Sequence, residues 1–217
     1  IEQIRWARGR GLRIYAETCP HYLLLTAEDL GTPGAFEDGD PYRGAKCVCS
    51  PPPRDEDSQR AVWEGLADGL FTIVSSDHAP FRYDDSRGKR LWGGPVQFRY
   101  IPNGVPGIET RLPLLFSEGV CGGRISLNQF VALTATNPAK LFGLHPRKGT
   151  IAVGSDADIT IWDPAREVTI EQGPRHDRAG YTPFAGAQLR YLAHSAAHGP
   201  IAALGFAASA WKCAPRD

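Results

Sequence analysis

Apolar positions fall into short segments whose period switches repeatedly between helix and strand. Ile1, Ile4 and Ala7 recur along one helical face, and Gly11 follows where a left-handed cap would stand, so the chain is expected to begin inside a helix. Leu12, Ile14 and Ala16 then alternate with Arg13, Tyr15 and Glu17, which predicts a strand running into Thr18-Cys19-Pro20-His21-Tyr22. Thr26 with Asp29 has the spacing of a capping box for a short helix, ahead of a Gly/Pro-rich loop from Gly31 to Gly44. Lys46 to Ser50 reads as a short strand stopped by Pro51, Pro52 and Pro53. Asp55 opens a helix whose apolar face is Val62, Trp63 and Leu66 and whose stop is Gly69. Leu70 to Val74 is then an apolar strand ending in Ser75-Ser76-Asp77-His78.

Helix, strand and polar residues in succession are the cadence of a β/α protein. Phe81 to Gly107 is a loop longer than a compact domain usually carries without a functional reason, a candidate lid or substrate loop. Ile108 to Ser117 has helical spacing, Ser126 with Gln129 is a second capping box, and Asn137-Pro138 has the N-cap and first-turn proline of a further helix ended by Gly143. After His145 the pattern changes to short strands separated by turn residues, at Ile151 to Val153, Asp158 to Trp162 and Val168 to Ile170, which places a domain boundary near Leu144 to Arg147. From Ala185 to Asp217 there are 11 alanines and no acid before Asp217, and neither the helical nor the strand period organises the segment.

Composition narrows the class. An apolar content of 42% with 10% aromatic residues is enough to build a packed core. Lys+Arg 24 against Asp+Glu 24 leaves a net charge of zero, which argues against a general nucleic-acid or anionic-membrane binder. The uncharged stretch from Tyr191 to Trp211 holds Pro200 and many small residues, a poor membrane span, and no segment has the form of a signal peptide. Five scattered cysteines (Cys19, Cys47, Cys49, Cys121, Cys213) fit reduced thiols in the cytoplasm better than a disulfide framework. The absence of methionine and the start within a helix lead us to expect a piece of a longer protein.

Reactive groups gather where strands are predicted to end. Asp77 follows an apolar strand into what should be a dry crevice, where a carboxylate must be paired, used as a cap or bound to a metal. His78 beside it suits a ligand or base, or a ring bonded to backbone, and His21 is either a functional group or a half-buried turn histidine. Cys47 and Cys49, spaced C-x-C without a second pair, fit core-facing alternate strand positions better than zinc. Ser50 has no spacing to a His and an Asp that would make it a nucleophile, and Gly93-Gly94 introduces no phosphate loop.

Six strings, taken in order, resemble one family. They are Glu17-Thr18-Cys19-Pro20-His21-Tyr22-Leu23, Ser50-Pro51-Pro52-Pro53-Arg54, Ser76-Asp77-His78-Ala79-Pro80-Phe81, Ile101-Pro102-Asn103-Gly104-Val105-Pro106-Gly107-Ile108-Glu109, Asn137-Pro138-Ala139-Lys140-Leu141-Phe142-Gly143 and Lys148 to Asp158. Over about Ile1 to Pro183 the chain is similar to the C-terminal half of the dihydropyrimidinase and D-hydantoinase group of cyclic amidohydrolases. The resemblance implies an α/β fold: residues 1–145 as the C-terminal part of a (β/α)8 TIM-type barrel and residues 146–184 as part of a small β-sandwich domain, with 185–217 an atypical tail. It implies hydrolysis of cyclic amides or imides such as hydantoins and dihydropyrimidines at a ring C–N bond by a metal-bridging hydroxide. Two divalent metal ions, zinc by expectation, and a homotetramer go with it.

Residue by residue, Asp77 matches the family's metal-bound, proton-carrying aspartate. Ser50 and Asn103 match positions that hold the ring amide through backbone groups, and His78 and His21 stand behind Asp77. Apart from the resemblance, Trp92, Phe98 and Tyr100 on the long loop are candidates to line a pocket for a ring substituent or, equally, to serve surface packing or a subunit contact. The family's His-x-His pair, carboxylated lysine and two further histidine ligands lie on earlier strands and have no matching position here. After Gly186 the family's next strand is not matched either, and the expectation is that the reading frame was lost near that point. A non-catalytic dihydropyrimidinase-related scaffold and an allantoinase-like ureide hydrolase are the alternative readings, the first disfavoured by the retained Asp77. With one metal ligand of six, the isolated 217-residue chain is expected to turn over neither hydantoin nor dihydrouracil, and a direct hydrolysis assay on the purified polypeptide checks this.

Overall fold

The structure is a computed structural model that describes residues 1–31, 42–84, 87–90, 98–171, 173 and 176–190, and the backbone of 193–196. Helix α1 (Glu2–Gly9) ends through Arg10, and Gly11 takes φ +74°, the left-handed conformation expected of a residue just past a helix end. The strand predicted over Leu12 to Ala16 is reduced to β1 (Glu17–Thr18), and Leu12 and Tyr15 are exposed. Among the described residues β1 has a partner on one side only, and in the stretch before it Ala16 alone is bonded to that partner's chain, its carbonyl accepting the Thr72 N–H at 2.7 Å, so Leu12 to Tyr15 have no ladder to hold them extended.

Helix α2 (Pro20–Leu24) follows, with Pro20 at its first position, where a missing N–H costs nothing. The capping box at Thr26 and Asp29 forms, opening a 3₁₀ turn (Ala27–Leu30). Lys46 to Ser50 is not a strand: Arg43–Cys47 is a second 3₁₀ turn. Cys47, Val48 and Cys49 are all buried, so the inside–outside alternation that a half-buried strand requires is missing.

Helix α3 (Glu56–Ala67) starts where expected. Asp55 Oδ1 accepts the Ser58 N–H at 2.8 Å, Glu56 and Asp57 complement the positive end of the helix, and Gly69 takes φ +70° after its end. The turn returns the chain to β2 (Ile73–Val74), parallel to β1 with Glu17 opposite Ile73 and Thr18 opposite Val74. Helix α4 (Arg111–Leu114) runs on into a π-helical segment, Leu115–Cys121. The Ser126–Gln129 capping box opens α5 (Leu127–Val131), which continues through a π segment (Ala132–Thr136) into α6 (Asn137–Leu141). Asn137 is therefore not an N-cap; its side-chain amide donates to Thr72 O at 2.9 Å, and the wider π turn accommodates Pro138 within a continuous helix.

These elements bury one apolar cluster containing Leu23, Trp63, Leu66, Phe71, Val74, Leu115, Phe116, Phe130 and Leu133. Trp63 Nε1 donates to Leu23 O at 2.9 Å, which ties α3 to α2. Beyond Pro146 the backbone forms two antiparallel pairs. Strand β3 (Ile159–Trp162) pairs with β6 (Ala193–Ala196), and β4 (Glu167–Thr169) with β5 (Gln188–Arg190). Ile151 and Val153, expected in a strand, are exposed and in none. Conversely, strand pairing continues past Ala185, where the pattern of apolar residues assigns nothing. Each three- or four-residue strand is held by its neighbour, too short for a period to show. The rest of the Ala-rich tail, with Cys213, lies outside the described residues, as do Trp92 and Gly93-Gly94.

Trp162 of β3 stacks on Phe116 (centroids 4.6 Å apart, planes at 22°) and meets Phe130 edge-on at 5.4 Å, joining the β segments to the helical core. Arg190 N–H donates to Ser117 Oγ at 3.0 Å beside it. No helix among the described residues is long and apolar enough to cross a membrane. Phe116→Ala removes the ring shared by both parts and is expected to cost about 3–5 kcal/mol of stability, read from the midpoint of denaturant unfolding.

Candidate functional site

Because β1 and β2 are parallel and in register, the residues after both leave the sheet at the same end. Cys19 Sγ and Ser75 Oγ are 3.2 Å apart there, and His21 and Asp77 follow on the two chains. Asp77 takes φ +44°, an uncommon left-handed conformation for a residue with a side chain. Its side chain is 57% exposed, so it does not occupy the dry crevice expected of it. The strand ends at Val74, and Ser75 and Ser76 carry the chain out of the apolar layer before Asp77 is reached.

His21 is not half-buried but 1% exposed, enclosed in the first turn of α2 with Tyr22 packed against its ring. Its Nε2 has no hydrogen-bond partner and lies 3.9 Å from Asp77 Oδ2. Burial pushes the imidazole pKa down to about 4, and the nearby Asp77 carboxylate only partly opposes this. His78 is bonded to backbone: its Nδ1 accepts N–H bonds from Gly107 at 3.1 Å and Ile108 at 3.3 Å, which puts any ring proton on Nε2.

Backbone bonds sew three loops together around Asp77. His78 bridges to Val105, and Ala79 N–H donates to Val105 O at 3.1 Å. Gly104 N–H donates to Val48 O at 3.0 Å, so the segment carrying Asn103 is bonded both to the Asp77 loop and to the segment carrying Ser50. Gly104 has φ +143°, and a β-carbon there would come within 2.6 Å of Ala79, so only glycine allows this approach. Ser50 and Asn103 are both exposed on these segments, and Tyr22 OH donates to Pro51 O at 3.0 Å. Phe98 and Tyr100 are also exposed, on a 3₁₀ turn (Phe98–Tyr100).

Two cations the sequence did not single out brace this end. Arg111 Nη1 donates to Val74 O at 2.7 Å, and Lys89 Nζ donates to Val48 O and Pro102 O at 2.8 and 2.7 Å. Neither could be told from a surface charge in a loop or on a helix. A cavity of about 400 Å³ lined by Tyr15, Thr72, Gln129, Asn137 and Lys140 opens at the start of β2, and Asp77 is not part of its lining.

A metal centre needs several ligands in fixed geometry. Among the described residues no three His, Cys, Asp or Glu side chains converge as such a site requires. Burial holds the Cys19 and Cys49 thiols up at about 11 and Cys47 at about 12, so none is a ready thiolate. Among the described residues Asp77 with the orphaned His21 nitrogen is the one carboxylate–imidazole pairing at this end, and two side chains do not hold a pair of metal ions.

His21 gives this end a pH dependence with a definite sign. The folded protein keeps the ring neutral down to about pH 4, whereas the unfolded chain takes up a proton near 6.5, so His21's contribution is complete above 6.5 and is lost as the pH falls toward 4. The unfolding free energy of the native protein minus that of His21→Gln should fall over that window by up to about 3 kcal/mol, measured by denaturant titration at each pH.

Comparison with known proteins shows which family the chain resembles. The sequence profile of the amidohydrolase family matches residues 46–192. The D-hydantoinase of Ralstonia pickettii is 46% identical over 190 residues, which cover 88% of this chain and 39% of that protein. Among solved structures, the dihydropyrimidinase of Brevibacillus agri superposes with a TM-score of 0.77 at 46% identity, again over 88% of this chain and 39% of that one. A D-hydantoinase from a Bacillus species superposes with a TM-score of 0.78 at 45% identity and the same coverage. The fold of these neighbours is the TIM barrel of the amidohydrolases, and the chain spans about two fifths of their length. With the profile matching well over half of its residues, the chain belongs to the amidohydrolase family.

Proposed function

We propose that the chain is the C-terminal portion of a metal-dependent hydrolase that opens cyclic amides, hydantoins or dihydropyrimidines, at a ring C–N bond. Residues 1–145 are the closing part of its barrel and 146–184 part of a small β domain. The observation that carries this reading is the backbone stitching of the Ser50, Asp77 and Asn103 segments into one rim at the carboxyl end of a parallel strand pair, the end where barrels of this class keep their chemistry. Similarity to D-hydantoinases at 44–46% identity supports the choice of substrate class.

The chain's own residues have distinct tasks. Ser50 and Asn103 offer backbone groups to the ring amide, which fixes its carbonyl carbon near Asp77. As water adds to that carbon, the Asp77 carboxylate accepts a proton and returns it to the ring nitrogen as the C–N bond breaks, so the ring opens to an N–H and a carboxylic acid that gives its remaining proton to solvent. Asp77 itself takes a left-handed backbone conformation, and the bonds from Gly107 and Ile108 to His78 hold the next residue in place. Divalent metal ions, zinc by expectation, would supply an acidified water and charge stabilisation, with Asp77 the one ligand from this chain.

The test is hydrolysis of hydantoin and dihydrouracil by the metal-loaded, full-length protein that carries this sequence. Asp77→Asn should lower kcat about a hundred- to ten-thousandfold with the fold intact. Absence of turnover in the unsubstituted protein, or an unaffected Asp77→Asn variant, overturns the reading.

A further inference from the structure

Among the described residues Lys89 is the one fully buried ammonium, 0% exposed. Its Nζ donates to Val48 O at 2.8 Å and Pro102 O at 2.7 Å. Val48 lies two residues before Ser50, and Pro102 adjoins Asn103. The same Val48 carbonyl accepts the Gly104 N–H at 3.0 Å, so the two segments share one acceptor, and Lys89 crosses the gap between them beside it. We propose that Lys89 is a positioning residue for substrate: by bridging Val48 O and Pro102 O it sets the separation of the two segments that receive the cyclic amide at Ser50 and Asn103. This rests on the cyclic-amide reading of the same site.

The lysine is itself anchored. Its N–H donates to Arg82 O at 2.9 Å, Arg90 N–H donates to Tyr83 O at 3.2 Å, and Tyr83 N–H donates to Ala179 O at 3.1 Å. Its ammonium also lies 5.9 Å from the centre of the Phe81 ring, four residues beyond Asp77. The bridge therefore has a fixed base and a reach limited by the four carbons of the side chain.

Chemistry argues against a role in the fold alone. An ammonium removed from water is costly unless a counter-charge meets it, and among the described residues no carboxylate pairs with Lys89. The acidic groups nearest in effect are the Cys47 and Cys49 thiols, which burial keeps protonated. Burial accordingly pushes the Lys89 pKa down to about 8. An apolar side chain of the same length would fill the space without that cost. What an apolar side chain lacks is donors for two carbonyls on separate loops, and a compact ammonium with three rotatable N–H groups supplies them.

The experiment uses the full-length, metal-loaded protein carrying this sequence, with Lys89→Met, which keeps a similar length without donors, and Lys89→Gln, which keeps an N–H group on a shorter arm. KM for the cyclic amide should rise about tenfold or more in Lys89→Met and severalfold in Lys89→Gln, with kcat within twofold of the unsubstituted protein. Amide hydrogen exchange at Gly104 and through residues 45–50 should quicken at least tenfold in the same order, while the unfolding midpoint stays level or rises. A purely structural lysine would instead lower the midpoint, reduce the apparent kcat in proportion to the folded fraction and leave KM unchanged. Unchanged exchange at Gly104, or faster exchange with unchanged KM, overturns the proposal. If Lys89→Met does not fold, Lys89→Gln decides by the same two readouts. Absence of turnover in the unsubstituted protein counts against the hydrolase reading alone, and exchange at Gly104 then decides by itself whether Lys89 holds the two segments.

Discussion

Parallel pairing of Glu17–Thr18 with Ile73–Val74 is the constraint on which the candidate site depends. Parallel strands send their ends the same way, so Cys19 and His21 leave at the same edge as Ser75 and Asp77 although more than fifty residues separate them in sequence. The pairing is only two residues deep and is held by the apolar layer beneath it. Phe71 and Val74 bury against Leu66, Leu115 and Phe116, and Arg111 adds a hydrogen bond to Val74 O at the rim. A slip of one residue would exchange the faces of Ile73 and Val74 and turn Asp77 away from His21.

Above that sheet the rim is made of loops, and loops need their backbone groups answered. Val48 O takes donors from both Gly104 and Lys89, Val105 O takes the Ala79 N–H, and His78 takes two N–H groups from Gly107 and Ile108. The result is a framework of bonds from side chains and backbone that leaves Ser50, Asp77 and Asn103 exposed. Burial has an electrostatic price at His21 and Lys89, whose charged forms are both disfavoured. Asp77, in contrast, keeps its contact with water.

The β segments are joined to this scaffold by aromatic contact rather than by a continuous sheet. Trp162 stacks on Phe116 and meets Phe130 edge-on, and Leu189 of β5 buries with Leu114 and Phe184. Phe116 therefore belongs both to the layer that supports β2 and to the contact with β3, so the stability of the rim and the docking of the β segments are coupled through one ring.

The amino-acid sequence by itself determined the locally encoded features. Asp55 and Ser126 open helices because each places a side-chain oxygen before a helical run, and Gly11, Gly69 and Gly143 follow helix ends because they alone adopt positive φ there without strain. The ordered strings around His21, Ser50, Asp77 and Asn103 were legible too, as was the family they point to. Features that depend on partners distant in the chain were not legible. The stretch before Glu17 alternates like a strand yet, among the described residues, is bonded to the chain of β2 only at Ala16, Cys47 to Cys49 are buried in succession and so lose alternation, and β5 and β6 are strands only because β4 and β3 pair with them. Likewise, the exposure of Asp77, the enclosure of His21 and the bridging by Lys89 follow from which surfaces meet in three dimensions. Caps and turns are settled within a few residues, whereas burial and bridging are settled by tertiary contacts, and those decided how this rim is arranged.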